Sequence, residues 1–590
     1  MEEKKSSTIF TKWKPIEVML AVLFLIAPFY YHPNIGGEGL RIPNNITVWM
    51  VATTIICYSF YLVLKRSTFV LPKSFIYITA FPTLVTLGGF ISGVEQPLVW
   101  LFRLLFIWGG LIFFFCLFQH GLKQGRIDRL LFLIVLSALI HSVAGITQLW
   151  LHADVPFWLP VSRSGSPSGF FQQINNQATY QVTAIMVAMY LSTRPIVTYG
   201  HKWLQVIIIL VITSASFLIV ISNSTIGILT LILGLLIYTP ILRIKFNRNK
   251  RLFLWLLAAL VIGVGAGLTF NNGNTLDKAV ALETGYASVL DKTIAAQSGY
   301  SGSARLSIYR ISLDLIMQKP LLGHGIGSFP RAWQYAKPGF YKSHPTAVLP
   351  YEFVGHPHNE QVFWLVEGGV IAAVGMIILF VVTLLCLTRL GWQRGMAYLA
   401  MLLPIILHTQ IELPFYTSVI HWFVFLMILF VINNHSLIYN KNRSSTVMII
   451  FLKGTNFTLF GIASLFLSHS LLSSIDFQNT ETDTDPFRYA KDNPYFRSEI
   501  EWINMGSLMY AGMESGKVGN VQYVANWAEK YIQNKPTRHV HYLLLDAYEF
   551  LRQKEQYCNV AYRHQAMYPY DRTLHPDDFR LQQAKKRCIE

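Results

Sequence analysis

Thirteen apolar segments, each near the length that crosses a bilayer, occupy most of this chain and leave few folds open to it. A spanning helix needs about 20 predominantly apolar residues. By that rule the segments lie at roughly 15–31, 47–64, 74–93, 98–118, 130–151, 178–192, 203–221, 225–242, 252–270, 360–387, 395–411, 417–433 and 445–471. The sixth is short, and the tenth is long enough to tilt or to begin outside the bilayer. The expected fold is an all-α polytopic membrane protein with about thirteen transmembrane helices. Charged residues make up only 13% of the chain, where a soluble protein carries about a quarter. No cleavable signal peptide is expected, because the first apolar stretch is followed by more of them.

Lysine and arginine set the orientation. The N-terminal segment holds Lys4, Lys5, Lys12 and Lys14, and alternate loops hold Lys65/Arg66/Lys73, Lys123/Arg126/Arg129, Arg194/Lys202, Arg243 to Arg251, Arg389/Arg394 and Lys441/Arg443. The intervening short loops are nearly free of them. The basic loops therefore belong on the cytoplasmic side, with the N-terminus inside and the tail outside. The same distribution argues against nucleic acid as the partner of a chain with net charge +17. Two long segments then face outward, about 152–177 and about 271–359. The expected domains are 1–475, the membrane part with outer loop 271–359, and 476–590. The tail reads as successive amphipathic helices with proline stops, similar to helix-pair repeats. Cys57, Cys116 and Cys386 fall in apolar runs; Cys558 and Cys588 lie in the tail, where an oxidising compartment would let them pair.

Polar groups within or at the end of a span are functional candidates by default, and here they gather on the outer side. "SGSPSGFFQQINNQATYQ" (164–181) places Gln173 and Asn175 in an amide cluster before the sixth span, with Arg163 just upstream. Arg103 lies near the outer end of the fourth span. "SGSARLSIYRISLDLIMQKPLLGHGIGSFPRAW" (301–333) reads as an amphipathic helix bearing Arg305, Tyr309 and Arg310, then a glycine turn. "GHPHNEQVFWLVEGGV" (355–370) sets His356, His358 and Asn359 at the edge of the tenth span and Glu367 inside it. His408 and Glu412, four apart, share one helical face at the end of the eleventh. Taken singly these residues have structural readings: Arg103 can snorkel, Arg305 can anchor a helix at headgroups, and the amides can begin a helix. Together they suit a lipid-linked diphosphate sugar. Arginines hold diphosphate, an imidazole accepts a hydroxyl proton at neutral pH, and a cationic pocket stabilises the leaving group. A zinc site from His356, His358, His408 and Glu412 has the right ligand types but no recognised spacing, so neither metal nor cofactor is expected.

At these residues the chain resembles the bacterial O-oligosaccharyltransferases that glycosylate pilins and other periplasmic proteins, relatives of the O-antigen ligases and, more distantly, of the O-antigen polymerases. The resemblance covers most of the membrane part, through short motifs in the expected order. "SARLSIYRISLDLIMQKPLLGHGIGSF" is similar to the family's arginine segment with its Gly-x-Gly turn, matching Arg305 and, at the usual aromatic, Tyr309. "HNEQVFWLVEGG" resembles the His-Asn…Glu-Gly signature, which implies a catalytic His358 with Asn359, Glu367 and Gly368. "QQINNQA" and "HTQIELPF" resemble two segments of the protein-glycosylating branch, matching Gln173 and Asn175, then His408, Glu412 and Pro414. The resemblance implies a GT-C-like glycosyltransferase of the inner membrane. It would take an undecaprenyl-diphosphate-linked glycan and a pilin-like acceptor, with its site and helical tail in the periplasm.

Three positions depart from the family pattern. Thr225 stands where an arginine is common, Leu413 where Tyr is, and Ile174 where Pro is. A second phosphate-binding arginine must then come from elsewhere: Arg103, Arg163 or Arg310. The same chemistry on a lipopolysaccharide core would make an O-antigen ligase. A transporter or flippase would instead place its polar residues near the bilayer midplane, with paired broken helices.

Overall fold

The computed structural model describes residues 12–162, 166–246, 249–273, 300–350, 353–436, 439–443, 446–478, 487–568 and 588. Arg163, Lys4 and Lys5 lie outside them. In chain order the main elements are α1 (Pro15–Leu25), α2 (Pro43–Arg66), β1 (Thr68–Pro72), α3 (Ala80–Ser92), α4 (Pro97–Phe118), α5 (Gln124–Leu151), α6 (Ile174–Ser192), α7 (Lys202–Ile221), α8 (Thr225–Phe246), α9 (Lys250–Gly273) and α10 (Tyr300–Gln318). Then follow α11 (Phe329–Ser343), α12 (Glu360–Arg389), α13 (Trp392–His408), α14 (Val419–Ser436), β2 (Tyr439–Arg443), α15 (Thr446–Asp476), α16 (Arg497–Glu514), α17 (Val518–Asn534), α18 (Arg538–Phe550) and α19 (Lys554–Met567).

Among the described residues, nine helices are long and apolar enough to cross a membrane, and Pro15–Phe29 and Val419–His435 are apolar but shorter. The chain is a multi-pass membrane protein, predominantly helical over the described residues. Two of the apolar runs, those of α6 and α13, form helices outside that set. For α6 the physical reason is its surroundings. Every residue from Asn176 to Ser192 is buried, against α5, α7, α8 and α13. A helix enclosed by protein can carry amides and hydroxyls because they find partners there. Gln177 and Gln181 donate to the His141 and Ala138 carbonyls at 3.1 Å each, and the Tyr180 hydroxyl donates to Ser137 at 2.8 Å.

The chain divides into two compact units. The first comprises Met1–Ala80, Leu105–Lys292 and Ile377–Ala490. Its core is a bundle in which α7 and α9 approach closely. A Cβ on Gly263 would lie 2.1 Å from Ser216 Oγ, and one on Gly267 would lie 2.8 Å from Val220. This glycine pair, four apart, lets the two backbones meet as in small-residue helix contacts within membranes. The strands, unexpected from an all-α reading, come from two loops: β1 pairs antiparallel with β2, Thr68 opposite Arg443 and Pro72 opposite Tyr439. The Gln119 side chain bonds both the amide and the carbonyl of Val70, at 3.0 and 2.9 Å. Buried acids offset the basic loops in this unit: Glu17 pairs with Arg126 and Arg129, and Asp128 with Arg194.

The second unit comprises Phe81–Leu104, Thr293–Met376 and Lys491–Glu590. The tail helices α16 to α19 pack in sequence around Val521, Val524, Ala528, Val540, Leu544 and Val560. Cys558 and Cys588 form a disulfide. Helix α11 joins this tail to α10. The fully buried Trp333 donates to the Ile308 carbonyl at 3.3 Å, and Tyr335 donates to the Ile532 carbonyl at 3.1 Å. Lys337, fully buried, donates to the Pro350 carbonyl at 2.9 Å and lies over the Tyr568 ring.

Candidate functional site

The second unit assembles around the start of α12. Asn359 is its N-cap: the side-chain oxygen accepts from the Val362 amide at 3.0 Å, satisfying one of the donors a helix start leaves open. Glu360 follows in the first turn, favoured by the helix dipole, and Trp364 Nε1 donates to it at 3.2 Å. Immediately before the cap, His358 holds φ at +54°, a conformation costly for a residue with a Cβ. Its amide donates to His356 Nδ1 at 3.2 Å, and the two imidazoles stand edge to face at 4.4 Å. The Tyr309 hydroxyl donates to the His358 carbonyl at 3.5 Å. Arg305 lies one turn before Tyr309 on the same face of α10. Neither Arg305, half-buried, nor Arg310, exposed, makes an ion pair among the described residues.

Further along, α12 breaks at Gly369, where φ is +60° and ψ −159°. The freed backbone groups pair with the glycine turn. His324 and Gly325 donate to the Val366 and Glu367 carbonyls at 2.8 and 2.9 Å, and Val370 donates back to the Pro320 carbonyl at 2.8 Å. Two glycines make this approach possible. A Cβ on Gly323 would meet the Glu367 carbonyl carbon at 2.5 Å, and one on Gly369 would meet the Leu321 oxygen at 2.4 Å. Gly323 also requires glycine by its φ of +68°. Burial lowers the His324 pKa, against the opposing pull of the Leu315 carbonyl to which its Nε2 donates at 2.9 Å.

Glu367 is fully buried and not left uncompensated. Arg103 from α4 pairs with it, and the Phe329 amide donates to its other oxygen at 3.1 Å. The Arg103 guanidinium also lies over Phe363, 4.4 Å from the ring centre. One carboxylate thus ties α4, the start of α11 and the break in α12 together. Gly368, adjacent, faces Ala372 closely enough that a Cβ would sit 2.7 Å away.

The first unit holds the amide cluster. Gln148 pins the loop ahead of α6, donating to Pro160 and Gly169 carbonyls and accepting from the Ser168 and Gly169 amides, all within 3.1 Å. Gln172 holds φ at +56°, and Gln173 is the N-cap position of α6 without a side-chain cap bond. Its Oε1 instead accepts from Asn176 Nδ2 at 2.8 Å. Asn176 Nδ2 also reaches the Thr417 hydroxyl at 2.9 Å, beside Pro414, which opens the short helix Pro414–Thr417. Asn175 Oδ1 accepts the Ser224 hydroxyl at 2.8 Å, next to Thr225 at the start of α8. Thr179 Oγ1 bonds His408 Nδ1 at 2.9 Å, and the Glu412 amide donates to the His408 carbonyl at 3.0 Å. His408 is fully buried, and its Nε2 has no hydrogen-bond partner among the described residues.

Two further histidines of this unit were not singled out from sequence. His421 bonds Ser418 at 2.8 Å and stands at 3.5 Å from Thr179. His141 is fully buried, stacks on Phe171 at 4.1 Å, and has neither ring nitrogen bonded among the described residues. The signal that could have found both is an imidazole inside an apolar run.

Residues 208–377 match the family model described as O-antigen ligase. Residues 396–581 match the model described as virulence factor membrane-bound polymerase, C-terminal. Both matches support the O-antigen ligase superfamily. They point to glycan transfer of the ligase or polymerase type by a glycosyl-transferring enzyme. The O-antigen ligase match contains Arg305, Tyr309, Arg310, His358, Asn359, Glu367 and Gly368; the second contains His408, Glu412, Pro414 and the helices α16 to α19. Arg103, Gln173 and Asn175 lie outside both. No curated protein matches the chain.

Proposed function

We propose that the chain is a metal-independent, inverting oligosaccharyltransferase. It moves a preassembled glycan from undecaprenyl diphosphate to a Ser or Thr hydroxyl of a periplasmic protein such as a pilin. The observation that carries this reading is the start of α12. There a half-buried imidazole sits on a constrained backbone, between an asparagine cap and Tyr309, with Arg305 on the Tyr309 face of α10. His358 takes the proton of the acceptor hydroxyl as its oxygen bonds to the anomeric carbon. The bond to diphosphate breaks on the opposite face, and the charge developing on undecaprenyl diphosphate is stabilised by Arg305. Arg310 is the second arginine we favour, because Arg103 is engaged by Glu367 and Phe363. Gln173, Asn175, His408 and Glu412 shape the glycan or acceptor site.

The disulfide between Cys558 and Cys588 fits an oxidising compartment. With the basic-loop pattern it supports a periplasmic tail and site, a cytoplasmic N-terminus and thirteen crossings of the inner membrane. The tail shares its unit with α10, α11 and the start of α12, which supports a role in recruiting the acceptor. A second reading, transfer to lipopolysaccharide core, is favoured by the O-antigen ligase match over 208–377.

The test is mass spectrometry of periplasmic and surface proteins with the gene present, deleted, or carrying His358→Ala. Glycosylation should be lost on deletion and fall about 10²–10⁴-fold in rate with His358→Ala. An unchanged glycoprotein profile beside altered lipopolysaccharide would select the second reading. Transfer that survives His358→Ala would sink the mechanism in either.

A further inference from the structure

Three basic loops of the first unit converge on one cavity at the C-terminal end of α6. The cavity measures about 630 Å³ and is lined by Arg194 after α6, Asn249 and Phe253 around the start of α9, and Trp392 and Arg394 in the first turn of α13. Helix α6 is 19 residues long, so this cavity lies roughly 28 Å from the amides at its other end. It is a separate place from the amide cluster.

The lining is both polar and apolar. It includes two guanidinium groups, with hydroxyls and an amide from Thr193, Thr198 and Asn249, and the apolar side chains of Ile241, Phe253 and Leu390. Two of the lining aromatics are exposed, Tyr199 73% and Trp392 55%, as aromatic residues are where a helix bundle meets headgroups. Apolar side chains of the adjacent helices, Ile244 on α8 and Leu254 and Trp255 on α9, are exposed beside it. Arg194 is held in place: its Nε donates to Asp128 at 3.1 Å, and Asp128 also accepts from Gln124 at 2.9 Å. Asp128 cancels the charge of Arg194, so Arg394 leaves the cavity one positive charge in excess.

We propose that this cavity binds the headgroup of an anionic phospholipid, a phosphodiester with a single negative charge such as phosphatidylglycerol. The phosphate lies between Arg194 and Arg394, and the acyl chains leave past Phe253 and Leu390 along α8 and α9. A single phosphodiester charge matches the excess of one, and the apolar lining residues and exposed aromatics suit a lipid and not a free anion.

The test uses the purified full-length protein in detergent, titrated with dioctanoyl phosphatidylglycerol, dioctanoyl phosphatidylcholine or inorganic phosphate, and read by native mass spectrometry and by tryptophan fluorescence. Phosphatidylglycerol should bind more tightly than phosphatidylcholine, and phosphate alone should not bind. Arg394→Gln, at an exposed position, should weaken phosphatidylglycerol about fivefold, the effect of one cation at an anionic surface. Arg389→Gln, which does not line the cavity, should leave it unchanged. Equal affinity for the two lipids, binding of phosphate as tight as of the lipid, unaltered binding in Arg394→Gln, or equal loss in Arg389→Gln would each overturn the proposal.

Discussion

Helix α6 begins after Gln172 and Gln173, helix α12 after His358 and Asn359. In both, the residue before the N-cap holds a left-handed φ, +56° and +54°, and the cap position carries an amide side chain. The two starts then diverge. At α12 the cap is conventional, and what holds the helix beyond it is charge and backbone: the Glu367–Arg103 pair and the reciprocal bonds of the glycine turn. At α6 the cap amide turns away to Asn176, and the helix is held by side chains reaching to Thr417, Ser224 and His408. The first arrangement leaves a half-buried imidazole at the helix start; the second ties its half-buried amides, Gln173 and Asn175, into hydrogen bonds with other side chains. The same local geometry is therefore held by two different kinds of interaction.

The sharpest way to break the comparison is at the charged lock. Glu367→Ala leaves Arg103 without its buried carboxylate, and removing one member of a buried pair costs about 3–5 kcal/mol. Thermal unfolding of the purified protein should show a large loss, with Glu367→Gln retaining more stability because the Phe329 amide keeps an acceptor. A wild-type melting curve for Glu367→Ala would mean that the pair does not hold the break in α12. Next comes the backbone. Gly369→Ala places a Cβ 2.4 Å from the Leu321 oxygen at a positive φ. Overpacking and left-handed strain together should cost about 3 kcal/mol by the same measurement, whereas alanine at Gly265, where a Cβ meets nothing within 4 Å, should be tolerated.

The two starts differ in how far sequence could reveal them. Asn359 marks the polar edge of an apolar run in the sequence; that it caps α12 comes from the structure. Apolar runs of bilayer length read as helices, and helices occupy them. The partner of Glu367 was not legible: Arg103 lies 264 positions away, and composition alone leaves it free to snorkel. Nor was the break at Gly369, since a Gly-Gly pair in an apolar helix is tolerated unless another chain segment comes against it. The burial of α6 from Asn176 onward was hidden for a related reason. Its amides mark a polar span, but only the surrounding helices decide whether they face lumen, lipid or protein. The left-handed φ of Gln172 and His358 follows from how each loop is pinned, which no local propensity encodes.

A smaller effect tests the side-chain half of the comparison. Asn175→Ala removes the acceptor of the Ser224 hydroxyl, leaving a buried donor, and should cost about 1–3 kcal/mol. If transfer falls far more than stability, with Asn175→Asp restoring the melting temperature but not the activity, Asn175 touches substrate. A proportional loss of both would make it a packing residue.

The smallest expected change is the most discriminating, because its sign is opposite. Glycine accepts the left-handed region without the roughly 1–2 kcal/mol that a Cβ costs there, and gives back about 0.5–1 kcal/mol in unfolded-chain entropy. Gln172→Gly and His358→Gly should therefore each raise stability by about 0.5 kcal/mol, seen as a melting temperature equal to or slightly above wild type. The two variants should then part company in transfer activity. Gln172→Gly removes a side chain that precedes a packed helix and should remain active, while His358→Gly removes the proposed base and should be inactive although more stable. A protein that is more stable and active with His358→Gly would place the general base elsewhere. An inactive Gln172→Gly of normal stability would add Gln172 to the amides proposed to shape the site.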